Sequence, residues 1–203
     1  SHTPITELPK KLKVGGDLDI SDTKIIEFPS DMKIGHTIFM NNTGFTELPD
    51  NFVVNGSLHC NNTNLYSFPE KLLIKKNLYA AFTHIKEIPE DLIVKGVIDL
   101  SNSKFTTIPE EYIFTDDVIL ANTKLSKIPE RVRFNKSLDI SGTNVIMLPN
   151  RMFVGNNLDI RHTLISKIGK NVNVLGIVDI RYTKIERLPR HIKYDQLSEE
   201  IDG

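Results

Sequence analysis

Apolar and polar positions in this chain repeat every 20 residues, and the repeat never slips by a residue. The clearest marker is an apolar-Pro pair at Leu8-Pro9, Phe28-Pro29, Leu48-Pro49, Phe68-Pro69, Ile88-Pro89, Ile108-Pro109, Ile128-Pro129, Leu148-Pro149 and Leu188-Pro189, with Ile168-Gly169 the one departure. Another apolar column runs Leu18, Ile38, Leu58, Leu78, Ile98, Val118, Leu138, Leu158 and Val178, and a third follows two residues later, from Ile20, Met40 and Cys60 to Ile180. Apolar residues at alternate positions predict a short strand with one buried face. Three more apolar columns begin at Ile5, Leu12 and Val14. One rung cannot bury six such columns alone, so the period predicts stacked rungs that share a continuous core.

Other columns refine this picture. Thr3, Thr23, Thr43, Thr63, Thr83, Ser103, Thr123, Thr143, Thr163 and Thr183 are all hydroxylic. They predict a ladder of hydroxyls that bonds backbone groups from rung to rung. Gly15-Gly16, Asn55-Gly56, Lys95-Gly96 and Gly155-Asn156 predict bends at positive φ. The repeated proline argues against a helix on the return limb, which is expected to be extended or polyproline-like. Residues 1–194 are expected to form one solenoid of about ten rungs, with Ile192 and Tyr194 completing half a rung. Residues 195–203 are expected to be a tail or partial cap, with Leu197 and Ile201 on one helical turn over the last layer. No amphipathic segment precedes the first rung, so the ends are expected to be covered by partners or by the rest of a longer protein.

The rung, written apolar-x-apolar-x-x-Thr-x-apolar-x-x-apolar-Pro-x-x-apolar-x-apolar, resembles the short leucine-rich repeats of secreted bacterial effectors and of related phage and bacterial proteins. The resemblance runs from Ile5 to about Tyr194 and extends to the Yersinia outer protein M group and the recognition domains of invasion-plasmid-antigen-H ubiquitin ligases. Those repeats usually carry Asn where this chain carries Thr. The resemblance implies a leucine-rich-repeat solenoid with a curved parallel β-sheet on its concave side, where protein partners dock, and little or no helix. It also implies an alternative, a recognition domain cut from a larger effector such as a ubiquitin ligase. The sequence holds no ligase domain, and Cys60 falls in a core column beside Met40 and Ala80.

Composition narrows the functional classes. With 39% hydrophobic and 25% charged residues the chain belongs among soluble, core-forming proteins. A single cysteine forms no internal disulfide. There is no apolar run of the ~20 residues needed to span a bilayer and no basic-then-apolar leader. A cytoplasmic setting, in the source cell or a host, is therefore expected, with no membrane association. Phosphate-binding glycine motifs, His-Glu-x-x-His and paired cysteines are missing, so neither enzymatic activity nor a cofactor or metal is expected.

The candidate sites come from irregularities in the repeat. One outward strand column reads Asp19, Phe39, His59, Tyr79, Asp99, Ile119, Asp139, Asp159 and Asp179. Phe39, His59 and Tyr79, with Phe82 just beyond the strand and Ile119 two rungs on, form a candidate protein-binding patch, because clustered exposed aromatics make good anchors. Asp139, Asp159 and Asp179 stack at a spacing where like charges repel, and Arg161 and Arg181 stand two residues along to pair with them; charge pairing is preferred over a metal site. A formal charge of -1 conceals segregation, since residues 121–193 hold 14 basic against 5 acidic side chains and all seven arginines lie between 131 and 190. These basic rungs are the candidate for the alternative function, binding an anion or nucleic acid, although their charges are expected to scatter over several faces. Val53, Leu73, Ile93 and Ile113 form an apolar stripe on the return limb, with Phe153 further along. That stripe is a candidate surface for a homo-oligomer or a self-assembling structural solenoid. The leading expectation is a non-enzymatic, effector-type module that engages a target protein through its concave face.

Overall fold

A computed structural model describes residues 5–29, 31–190 and 192–195. These wind into a solenoid whose inner wall is one ten-stranded parallel sheet, without a helix among the described residues. Leu18–Asp19, Ile38–Phe39 and Leu58–His59 begin the sheet, and each residue pairs with the one twenty positions later. Strands of two residues have no independent stability. They persist because hydrogen bonds join neighbouring rungs on both sides of the pair, as where Leu18 N donates to Thr37 O (2.9 Å) and Ile20 N to Phe39 O (2.8 Å). The apolar columns form a single core between the sheet and the return limb, in which Ile38, Leu58, Leu78, Cys60 and Leu100 are wholly buried.

The return limb is extended but not simply polyproline-like. Two-residue strands recur there as well, pairing Lys13–Val14 with Lys33–Ile34, then Val53–Val54 through Leu73–Ile74 to Ile93–Val94, then Ile113–Phe114 through to Asn173–Val174. Proline sits clear of these ladders, so its missing N–H does not interrupt them. The last rung is shorter than expected. Ile192 is buried in place, but Lys193–Asp195 pairs with Ile177–Asp179 and so enters the concave sheet sixteen residues after its partner, instead of completing half a rung on the return limb. The open hydrogen-bonding edge of Ile177–Asp179 offers its backbone more partners than a continued return limb would. The helical turn expected around Leu197 and Ile201 lies outside the described residues.

Two local expectations are corrected. Bends at Gly15-Gly16 and its equivalents do not use positive φ; among the described residues Gly142 is the glycine that does. Gly35 and Gly155 are small because of close approach: a Cβ there would lie 2.1 Å from the carbonyl oxygen of Gly15 or Asn135 on the rung below. Left-handed backbone falls instead on the turn that leaves the sheet, at Asp22, Asn42, Asn62, Phe82, Asn102, Asn122, His162 and Tyr182, with φ between 55° and 59°, and on the turn after the proline, at Lys11, Asn51, Lys71, Arg151 and Asn171. Asn and Asp tolerate this conformation.

The threonine column does not make a ladder between rungs. Each described threonine hydroxyl turns back on its own rung, Thr43 Oγ1 donating to Met40 O (2.7 Å), Thr83 Oγ1 to Ala80 O (2.8 Å) and Thr123 Oγ1 to Leu120 O (2.7 Å). The left-handed residue just before the threonine folds its side chain over the carbonyl at the end of the strand, a shorter reach than the ~4.8 Å to the next rung. A ladder between rungs does exist one column before the strand. There Thr37 N bonds Asp17 Oδ1 (2.9 Å), Val97 N bonds Asn77 Oδ1 (3.0 Å) and Ile177 N bonds Asn157 Oδ1 (2.9 Å).

Thr123→Val keeps the shape of this buried side chain and removes the donor to Leu120 O. Urea unfolding is expected to show a loss of about 1–3 kcal/mol, the cost of stripping a partner from a buried carbonyl; an unchanged midpoint would mean the bond adds nothing.

Candidate functional site

The concave wall brings Phe39, His59 and Tyr79 into one stack. Their in-register strands set the rings parallel, with centroids 4.6 Å apart from Phe39 to His59 and 4.6 Å again from His59 to Tyr79, at interplanar angles of 27° and 28°. Asn77 Nδ2 donates to the Tyr79 hydroxyl (3.1 Å), which fixes the third ring. All three are half-buried, so the stack shows a ridge of ring edges to solvent. Burial between two aromatic neighbours lowers the His59 pKa below its ordinary 6.5 and favours the neutral imidazole.

The aspartates that surround this stack have a backbone role that spacing alone does not reveal. Asp19, Asp99 and Asp139 each accept, through Oδ1, the N–H two residues ahead at Ser21 (2.9 Å), Ser101 (2.9 Å) and Ser141 (2.8 Å). Where rings replace aspartate, asparagines of the preceding rung take over that duty: Asn61 N bonds Asn41 Oδ1 (2.9 Å) and Ala81 N bonds Asn61 Oδ1 (2.8 Å). The His59 and Tyr79 rungs therefore have replacement caps. Up to Ser141 the outward columns that begin at Asp17, Asp19 and Ser21 hold Asp17, Asp19, Asp99, Asp117 and Asp139 and no lysine or arginine.

Phe82 lies outside the stack. It occupies the left-handed turn column between Asn62 and Asn102, with φ of 58° and 59% of its surface exposed. A bulky side chain in that conformation is strained. Ile119 is half-buried on the concave wall between Asp99 and Asp139, two rungs from the nearest ring of the stack. The sequence reading missed a second aromatic pair in the turn column, His162 over Tyr182, with ring centroids 4.3 Å apart. Its signal was two rings where most other rungs have Asn.

At the far end, Arg161 grips the Asp159 carboxylate through Nε (2.9 Å) and Nη2 (2.6 Å), and its Nε also lies 3.3 Å from Asp179 Oδ2. Arg181 binds Asp179 in the same way, through Nε (3.0 Å) and Nη2 (2.5 Å). Burial pushes the Asp179 pKa up, but the Arg181 bonds and the positive charge of Arg161 outweigh it and hold the carboxyl below its usual range. Asp139 stands without an arginine two residues along and holds the Ser141 N–H. No cluster of three metal-ligating side chains occurs among the described residues. On the return limb Val53, Ile93 and Ile113 are about half exposed and Leu73 is half-buried, with the strand ladder broken between Ile93 and Ile113. Cys60 is wholly enclosed by the core, and burial pushes its thiol pKa up, away from the thiolate form.

No family model matches this chain, and neither does any curated protein. Among solved structures it is similar to YopM, a leucine-rich effector protein from Yersinia pestis, at 14% identity and a TM-score of 0.51, covering 84% of this chain and 56% of that one. It thus spans little more than half the length of that protein. A second likeness, to a chain of the Toll-Spatzle complex of Drosophila, has 13% identity and a TM-score of 0.33 over 82% of this chain and 41% of the other, and adds nothing to the argument. The fold is a leucine-rich-repeat solenoid. No helix among the described residues is long and apolar enough to cross a membrane.

Two outcomes follow from this geometry. Because the folded chain resists protonating His59, the unfolded chain binds the extra proton as pH drops; the stability tied to His59 is full above about pH 6.5 and is lost as pH falls through its lowered folded value. Denaturation curves for wild type and His59→Phe are expected to diverge below that point, and identical slopes would assign the titration elsewhere. Phe82→Asn relieves the left-handed strain in a column where Asn62 Nδ2 already bonds Asn42 Oδ1 (2.9 Å). A rise in stability of about 1 kcal/mol is expected by thermal melting; a loss would show that Phe82 is held by packing.

Proposed function

We propose that this leucine-rich-repeat chain is a non-catalytic module that binds a target protein on its concave wall, with the Phe39-His59-Tyr79 stack as anchor and Phe82 and Ile119 at its margins. The stack is the observation that carries the reading. Three half-buried rings remain at the water boundary on consecutive rungs, and asparagines cap the His59 and Tyr79 rungs in place of the repeat's aspartates. Rings of this kind dominate binding energy where a partner excludes water from them. Phe82 retains a strained conformation and an exposed ring, a combination that fits a role in contact better than one in folding.

The chemistry of the partner follows from what surrounds the rings. Asp19 and Asp99 lie on the rungs either side of the stack, and their second carboxylate oxygens are not engaged by the backbone bonds described above. An apolar segment with lysine or arginine at its ends matches this surface, which steers positive charge toward the rings. The paired Asp159-Arg161 and Asp179-Arg181 end is closer to neutral and contributes less. An effector setting in a bacterium or phage fits the likeness to the Yersinia pestis effector and belongs to this same proposal.

Phe39→Asp with Tyr79→Asp tests the reading, since it restores the residue that the repeat uses elsewhere and leaves the cap chemistry intact. Quantitative affinity capture from the source organism's extract is expected to lose the wild-type partner by more than tenfold, as each anchor ring is worth about 2 kcal/mol or more. Melting temperature should hold within a few degrees. Retention of the partner at wild-type levels would move the site off the stack.

A further inference from the structure

The edge that carries the proline column is charged in two opposite halves. Directly after the proline, each rung from Asp50 through Glu70, Glu90 and Glu110 to Glu130 is acidic, and the column then turns to Asn150, Lys170 and Arg190. Two residues before the proline, Glu27, Glu47 and Glu87 give way to Lys127, Lys167 and Arg187. The next column changes from Asp91 and Glu111 to Arg131 and Arg151, with Lys71 a lone positive charge on the acidic side among positions 31–111. All these side chains are exposed, and one groove lined by Glu87, Pro89, Glu90, Pro109 and Glu110 shows that the columns share a face. Seven of the fourteen basic side chains of residues 121–193 fall in these columns, and the other seven lie on other parts of the rung. Where the halves meet, Arg131 pairs with Glu111 of the preceding rung.

We propose that this edge binds a second copy of the chain, antiparallel, about a two-fold axis near the Pro129 rung. Rotation about that axis sets Glu70 opposite Arg190, Glu90 opposite Lys170 and Glu110 opposite Asn150, with Arg151 next to it in the chain. A surface with both signs in separate halves is complementary to itself under this operation. A foreign partner of one sign satisfies one half and is repelled by the other, which favours self-recognition. Within one chain, the carboxylates from Asp50 to Glu130 recur at the ~4.8 Å rung spacing, inside the ~8 Å screening length of physiological salt, so that column repels itself. A facing copy neutralises it. The Arg131-Glu111 pair shows the same chemistry at single-rung scale. This face is separate from the concave stack and does not depend on its function.

Charge reversal with exchange gives the test. One variant carries Glu70→Lys, Glu90→Lys and Glu110→Lys, so that both members of each facing set are basic; the other carries Arg151→Glu, Lys170→Glu and Arg190→Glu, so that both are acidic. Sedimentation velocity at low ionic strength is expected to show a wild-type dimer that dissociates in molar salt. Each variant alone should raise the dissociation constant by about tenfold or more, and an equimolar mixture of the two should form a heterodimer. A wild type that stays monomeric at low salt, a dimer that survives either reversal, or a mixture that fails to associate would each overturn the proposal.

Discussion

Parallel pairing of each rung with the next, in register at a separation of twenty residues, is the constraint on which everything else in this protein depends. Strands two residues long cannot stand alone, and no rung closes a core by itself. The pairing also converts sequence position into address. Residues twenty apart stack at one height on one face, so any property that recurs at that spacing becomes a ladder, whether apolar, hydroxylic, aromatic or charged. A slip of one residue would turn the buried columns outward, which explains a period without insertions.

The same constraint governs where the repeat can change. An outward aspartate is a cap for the N–H two residues ahead, so a ring cannot replace it without leaving that donor unmet. On the His59 and Tyr79 rungs Asn41 and Asn61 resolve this by reaching up from the preceding rung, so there the column and the cap change together. On the turn column the exchange is incomplete: Phe82, His162 and Tyr182 keep the left-handed backbone that Asn and Asp carry more readily. Lys11, Lys71 and Arg151 do the same on the turn after the proline, so local preference and the observed residue disagree at both turns.

Charge behaves differently from packing because it acts across faces and over distance. The total of -1 says little. Arg161 and Arg181 neutralise Asp159 and Asp179 on the concave wall, while Asp19, Asp99 and Asp139 spend their carboxylates on backbone N–H groups. The proline edge keeps its two halves apart. One winding thus presents an acidic, ring-bearing wall and a bipolar edge, and the two surfaces suit different kinds of partner.

The amino-acid sequence by itself determined the period, the six apolar columns, the burial of Cys60 and the outward run of Phe39, His59 and Tyr79, because all of these depend only on spacing along a regular winding. Only the tertiary structure decided the rest. Which hydroxyl or amide reaches which backbone group depends on φ at the turn and on distances between rungs, so the threonines serve their own rung while Asp17, Asn77 and Asn157 bridge to the next. Close approach, not left-handed backbone, explains Gly35 and Gly155, and an open sheet edge draws Lys193–Asp195 in four residues early. Periodicity predicts which residues share a face; hydrogen-bond geometry and steric contact between rungs, which no spacing contains, decide what they do there.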